Sequence, residues 1–266
     1  MNMADQELRE RLNLLKELGR IAGRLMMNRY GRLGGYELKG TVDLVTEVDQ
    51  QVEDAVTSRI RALFPRDGIL AEEGSSHDGD SGFCWVIDPL DGTTNYAHGY
   101  PFFAFSCGVH FENQPVGALV EVPFTRETFF ARKDGGATRN EQPIHVSDVT
   151  ELRRSLLVTG LPYFRHTMVD DLLAPMRRAV LHGQGLRRGG AASVDLCYVA
   201  CGRLDGYFEI GLKPWDMAAG ELIVTEAGGR LSDYAGHPFS IHGNQLVASN
   251  GHIHDELIEK VLQSHD

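Results

Sequence analysis

The sequence predicts an α/β protein made of two fused lobes. Short apolar runs that stop at turn residues dominate the first half of the chain, with an antiparallel look. Strand-like and helix-like segments alternate through the second half. Composition agrees: 266 residues, 42% hydrophobic and 24% charged, suit a globular core of one large or two modest domains.

The elements follow in order. Leu8, Leu12, Leu15, Ile21, Ala22 and Leu25 recur on one helical face, and glycines 31, 34 and 35 are expected to end that helix. Thr46 and Asp49 have the spacing to cap a second helix, which Val52, Ala55, Val56 and Ile60 carry to Phe64-Pro65. Gly68 to Ala71 is a short apolar strand, followed by Glu72-Glu73. Phe83 to Ile87 reads as a buried strand that should stop at Pro89, which has no amide proton for a ladder. Phe102 to Val109, Gly117 to Val122 and Thr128 to Ala131 are further strands. Later strands are expected at Ser155–Thr159, Gly206–Ile210 and Gln245–Ser249. Helices are expected at Asp170–Leu181, Ala192–Cys201, Asp216–Ala227 and His254–Leu262. The lobes divide into residues 1–146 and 147–266, near Pro143 to Glu151.

Charge and cysteine usage exclude several classes. A net charge of −11 argues against a general polyanion binder, which needs surplus cations, so no direct nucleic-acid binding is expected. No apolar run reaches the roughly 20 residues that cross a bilayer. Asp5, Glu7, Arg9 and Glu10 leave no apolar signal segment, and a cytoplasmic location is expected. Cys84, Cys107, Cys197 and Cys201 form neither a disulfide framework nor a zinc site.

Chemistry concentrates in Asp88-Pro89-Leu90-Asp91-Gly92-Thr93-Thr94-Asn95, directly after the buried strand. Two carboxylates at an apolar strand end are costly unless paired, hydrogen-bonded or bound to a cation. Gly92 and Thr93 add amides and a hydroxyl suited to phosphate oxygens or an attacking water. An Asp-rich turn, capping its own amides, is the plain alternative. Glu72, Glu73, Asp49 and Asp216 likewise stand at strand or helix ends, and each has an ordinary explanation as a cap or a solvated charge. Together they gather acids where α/β proteins place their sites. Two like charges about 4 Å apart repel by roughly 4 kcal/mol at an effective dielectric of 20, so such a cluster implies a cation. All-oxygen donors select Mg²⁺, with Mn²⁺ as a substitute, and two or three ions are expected. Metal-assisted hydrolysis of a phosphate ester follows.

These blocks resemble the inositol monophosphatase family of Mg²⁺-dependent, lithium-sensitive sugar phosphatases. The resemblance runs nearly end to end. It rests on Asp43-Leu44-Val45-Thr46-Glu47-Val48-Asp49, Glu72-Glu73, Trp85 to Tyr96, and Trp215-Asp216-Met217-Ala218-Ala219-Gly220. It implies a layered αβαβα sandwich and a homodimer. By the same resemblance, Glu72, Asp88 and the Leu90 carbonyl ligate a first metal; Asp88, Asp91 and Asp216 ligate a second; Glu72 also faces a third. Asp49 is implied as an accessory carboxylate, and Thr93 with Glu72 as the pair that orients the attacking water. Asp91, Gly92, Thr93, Gly190, Ala191, Ala192, Glu209 and Asp216 are the implied substrate contacts. One departure stands out: Ala191 replaces the family's usual Ser or Thr, which puts the exact substrate in doubt.

The expected substrate is a small phosphorylated polyol, inositol 1-phosphate first. Histidinol phosphate, fructose 1,6-bisphosphate and 3′-phosphoadenosine 5′-phosphate are alternatives within the family. A haloacid dehalogenase would need a D-x-D pair near the N-terminus, and a dinucleotide fold a glycine at Arg188. The rival from another class is a partner of the transcription machinery, as some bacterial relatives are, with residual phosphatase activity.

Overall fold

A computed structural model describes residues 3–32, 37–38 and 44–263. Helix α1 (Met3–Arg29) sets Leu12, Leu15, Leu18, Ala22 and Met26 into the core at helical spacing. Its glycine stop at residues 34 and 35 lies outside the described residues, as does Asp43. Strands β1 (Glu37–Leu38) and β2 (Leu44–Val45) pair antiparallel. Helix α2 (Glu47–Leu63) starts as its sequence dictates: Thr46 Oγ1 accepts the Val48 N–H at 3.2 Å, and the Asp49 carboxylate accepts the Thr46 N–H at 2.8 Å.

Seven strands then pair in chain order: β3 (Gly68–Ala71), β4 (Phe83–Asp91), β5 (Ala104–Phe111), β6 (Gln114–Val122), β7 (Glu127–Arg132), β8 (Ala137–Arg139) and β9 (Gln142–Pro143). Only β3 and β4 run parallel. A short helix, α3 (Thr93–Ala97), follows β4. The rest of the chain supplies β10 (Leu156–Thr159), α4 (Val169–His182), β11 (Gly185–Arg187), α5 (Ala192–Ala200) and β12 (Gly206–Ile210). It continues with α6 (Pro214–Glu226), β13 (Arg230–Ser232), β14 (Gln245–Ser249) and α7 (His254–Leu257), which runs on into a π-helical turn, Ile258–Leu262. The second sheet is mixed, in the order β11-β10-β12-β14-β13.

Strand alternation sorts side chains into separate cores. Trp85, Ile87, Phe105, Cys107, Val109 and Leu119 face α1 and α2, whereas Val86, Ala104, Ala118, Val120, Phe129 and Ala131 face the other way. Tyr207, Leu246 and Ala248 of the second sheet join this middle core, and Phe208 and Val247 point outward with Leu257 and Val261. Helices α5 and α6 fill the space between the sheets, giving the five αβαβα layers. Both are apolar nearly all round because both sides are covered. The approach is tight: a Cβ on Gly108 of β5 would lie 3.0 Å from the Ala218 Cβ of α6.

One sequence expectation is overturned. Strand β4 does not stop at Pro89 but continues to Asp91. Asp88 lies opposite Ser106 and Asp91 opposite Ala104, so three steps on β4 match two on β5. This bulge takes Pro89 out of the ladder, and its missing amide proton costs no pairing.

His254 is fully buried between two serines. Ser232 Oγ gives its proton to the Asp233 carbonyl at 2.7 Å and so accepts from His254 Nε2, 2.9 Å away; Ser249 Oγ lies 2.8 Å from Nδ1 and donates to it. Burial, with Arg230 nearby, pushes the imidazole down to about 4. The unfolded ring titrates near 6.5, so the stability held by the neutral form is complete above that pH. It is lost as pH falls through about 4, a difference of about 3 kcal/mol at most. The gap in unfolding free energy between the parent and His254→Asn is therefore expected to narrow from pH 6.5 to 4 in urea melts. A gap independent of pH would show that the ring is not held neutral.

Candidate active site

Residues three apart on a regular strand face opposite sides of the sheet. The bulge adds one residue between Asp88 and Asp91, restores parity and turns both carboxylates toward the α5–α6 layer. Asp88 is 2% exposed, and its Oδ1 accepts the Leu90 N–H at 3.0 Å. Gly92 then takes φ +86°, the left-handed conformation, and a Cβ there would lie 2.9 Å from the Phe102 carbonyl oxygen.

Thr93 and Asp49 meet across this turn. Thr93 Oγ1 lies 2.9 Å from both Asp49 Oδ1 and the Leu90 carbonyl oxygen. The other Asp49 oxygen accepts from Thr46 N and Oγ1, at 2.8 and 2.6 Å. Asp49 thus caps α2 with one oxygen and serves the cleft with the other. Burial raises its pKa, against the hydrogen bonds from Thr46 and Thr93.

Asp91 is held from the second half of the chain. It accepts the Ser193 N–H at 2.7 Å, the Ser193 hydroxyl at 2.5 Å and the Ala192 N–H at 3.2 Å. These are first-turn groups of α5, whose own cap residue, Ala191, offers no side-chain hydrogen bond. Asp91 therefore caps that helix from 101 residues away. Ala191 itself is 2% exposed, and its Cβ packs toward Gly92.

Asp216 corrects a second expectation. It is not the cap of α6 but its third residue; Lys213 is the cap, Pro214 follows it, and the Asp216 carboxylate accepts the Lys213 N–H at 2.7 Å.

The acids are close enough to perturb one another. Burial raises Asp88 well above the carboxylate range, reinforced by Glu72, Asp91, Asp216 and Asp49. Burial and Asp91, with Glu72 and Glu209 behind them, do the same to Asp216. Burial also raises Asp91, although its bonds to α5 pull it back. The side-chain groups do not close on one point: among the described residues no three acid, histidine or cysteine side chains form a finished metal cage. The oxygens of Asp88, Asp91, Asp216 and Asp49 are instead turned toward separate N–H and O–H donors. The donor set nevertheless fits a hard cation, being a carbonyl and carboxylates that burial first, and mutual repulsion second, hold away from their ionised form at Asp88.

Around Glu209, an expected contact residue, the fold adds Tyr207, Gly160 and Asp195, which sequence reasoning leaves without a role. Glu209, 9% exposed, accepts a hydrogen bond from the fully buried Tyr207 hydroxyl, and burial pushes its carboxyl up to about 7. A Cβ on Gly160 would overlap that carboxylate. Asp195 is buried below, raised by burial, Glu209 and Asp91 against the pull of Arg188. Gly190 has φ +88°, and Asn95 Nδ2 joins this turn to the Asp91 side, 2.7 Å from the Phe102 oxygen and 3.1 Å from the Gly189 oxygen. The i, i+2 spacing of Tyr207 and Glu209 on one strand face was a usable signal; the reach of Ser193 to Asp91 was not.

An αβαβα sandwich with an acid-lined cleft at the ends of β3 and β4 defines a phosphatase of the layered sugar-phosphatase class. Within it, the chain belongs to the inositol monophosphatase family, whose model matches residues 7–266. An inositol-1-monophosphatase from Synechocystis sp. is 44% identical over 94% of this chain and 88% of its own length. The Nus factor SuhB of Vibrio cholerae is 41% identical over 80% of each chain. The solved inositol monophosphatase of Anabaena sp. superimposes with a TM-score of 0.88 at 40% identity, covering 97% of this chain and 98% of that one.

The raised Asp88 carboxyl yields a stability test. In chelator at pH 8, Asp88→Asn is expected to melt above the parent, by about 2–4 °C for each kcal/mol of repulsion removed from a chain of this size. Phosphate release should be lost in the same variant. Calorimetry measures the melt, and an unchanged or lower melting point would show that repulsion is not focused on Asp88.

Proposed function

We propose that this chain is a Mg²⁺-dependent phosphatase that removes phosphate from a small polyol monoester, with inositol 1-phosphate as its principal substrate. The observation that carries this reading is the convergence of Glu72, Asp91, Asp216 and Asp49 on Asp88. The similarity to an inositol-1-monophosphatase supports the substrate. Glu72, Asp88, Asp91, Asp216 and the Leu90 carbonyl would hold Mg²⁺ or Mn²⁺. When bound, the ions supply Lewis-acid polarisation of the phosphate and balance the charge of the departing alkoxide.

The remaining chemistry belongs to the chain. Thr93 and Asp49 form the proton path: Asp49 Oδ1 accepts from Thr93 Oγ1, whose lone pair is left to take a proton from the water attacking phosphorus. Burial raises Asp49 and makes it a better acceptor. Glu72 would orient that water together with Thr93. Gly92 and Thr93 amides hold phosphate oxygens, while Gly190, Ala192 and Glu209 bound the polyol. Ala191 acts through the start of α5 rather than by touching substrate, as its burial suggests.

The finer assignments are lithium sensitivity, a cytoplasmic location and a homodimer. Among the described residues no helix is long and apolar enough to cross a membrane. Helix α4 leaves Val169, Leu173, Val180 and Leu181 exposed, an apolar face that suits a second copy. A second reading, contact with the transcription machinery, is favoured by the similarity to the Nus factor of Vibrio cholerae. Capture of RNA polymerase by catalytically dead protein would support it.

A phosphate-release assay tests the main reading. With Mg²⁺, kcat/KM for inositol 1-phosphate is expected to exceed that for histidinol phosphate, fructose 1,6-bisphosphate, 3′-phosphoadenosine 5′-phosphate and glycerol 2-phosphate. A tenfold advantage for any of these would replace the substrate assignment. Asp216→Asn is expected to lower kcat at least ~100-fold while the fold survives, because only charge and ligation change. Near-normal kcat in that variant would confine Asp216 to its bond with Lys213.

A further inference from the structure

Helix α2 carries a second carboxylate one turn beyond Asp49. Glu53 is 2% exposed, and both its oxygens bond backbone of the loop that follows β3. Oε2 accepts the Glu73 N–H at 2.7 Å, and Oε1 accepts the Ser75 N–H at 2.8 Å. Asp49 and Glu53, four residues apart, share one helix face. The first reaches Thr93; the second reaches the loop that opens with Glu72.

Charge-assisted bonds from a buried carboxylate to backbone amides are short and strong, and two of them leave a loop little freedom. Glu72 is flanked by fixed points. On one side β3 pairs with β4 as far as Ala71, and the Glu72 N–H reaches the Ile87 carbonyl at 3.3 Å. On the other side the next amide, that of Glu73, is held by Glu53. Glutamine keeps the size of Glu53 but sets an NH₂ donor against one of the two N–H donors, so one bond must break.

We propose that Glu53 is a positioning residue that sets the approach of Glu72 to the cation, an inference that rests on Glu72 being a ligand. The test is Mg²⁺ titration calorimetry on metal-free protein, with urea melts in chelator as the check of fold. Glu53→Gln is expected to weaken Mg²⁺ binding roughly tenfold, the usual scale for groups that orient a ligand. Glu53→Asp, which keeps the charge but shortens the reach, should also weaken it. In a Glu72→Gln background the Glu53 change should add nothing, because the two act through one contact. Unchanged affinity in Glu53→Gln, or losses that add in the double variant, would overturn the proposal. Unchanged affinity in Glu72→Gln would instead overturn Glu72 as a ligand, and any effect of Glu53 would then be a matter of folding alone.

Discussion

Like charges at the mouth of the cleft push against one another, and much of the surrounding architecture works against that push. Asp88 takes the charges of four other acids while nearly sealed from water. Four elements bring the five acids: Asp49 by α2, Glu72 by the end of β3, Asp88 and Asp91 by β4, Asp216 by α6. Asp91 and Asp216 are further pinned by amides of α5 and of the α6 start. A free surface loop could not hold such a set against roughly several kcal/mol of mutual repulsion. A layered core can, because β4 and α6 are packed on both sides and α2 lies flat against the first sheet.

The middle layer explains how residues from distant parts of the chain share one site. α6 lies against β4, β5, β6 and β7 on one side and reaches β13 on the other. α5 begins beneath Asp91, and its first-turn amides are satisfied by that carboxylate rather than by a local cap. The bond therefore serves two ends, completing a helix in the second half and orienting an acid from the first. A site of this kind trades some stability for function.

Much of the fold was legible in the sequence because its local rules agree with the packing. Thr46 and Asp49 formed the capping box their spacing implied. The apolar runs at Phe83–Ile87 and Phe102–Val109 placed real strands. The misses have physical causes. Pro89 broke a local rule that pairing with β5 overrode through the bulge. Helix α6 starts two residues before the expected Asp216, because Pro214, a favoured first-turn residue, fixes the cap at Lys213. The Asp91–Ser193 and Glu53–Glu73 bonds join elements whose pairing no local pattern encodes.

The bulge in β4 has a consequence for how this region tolerates change. Because its extra residue sets which face Asp91 occupies, the distance from Asp88 to Asp91 along the chain is a parity instruction. Substituting Pro89 or Leu90 alters packing locally. Deleting either one would leave the strand able to pair yet turn Asp91 into the α1–α2 core, away from Ser193 and its fellow acids. At this point in the molecule the count of residues carries information that no single side chain does, and a frame-preserving codon loss would be more damaging than most replacements.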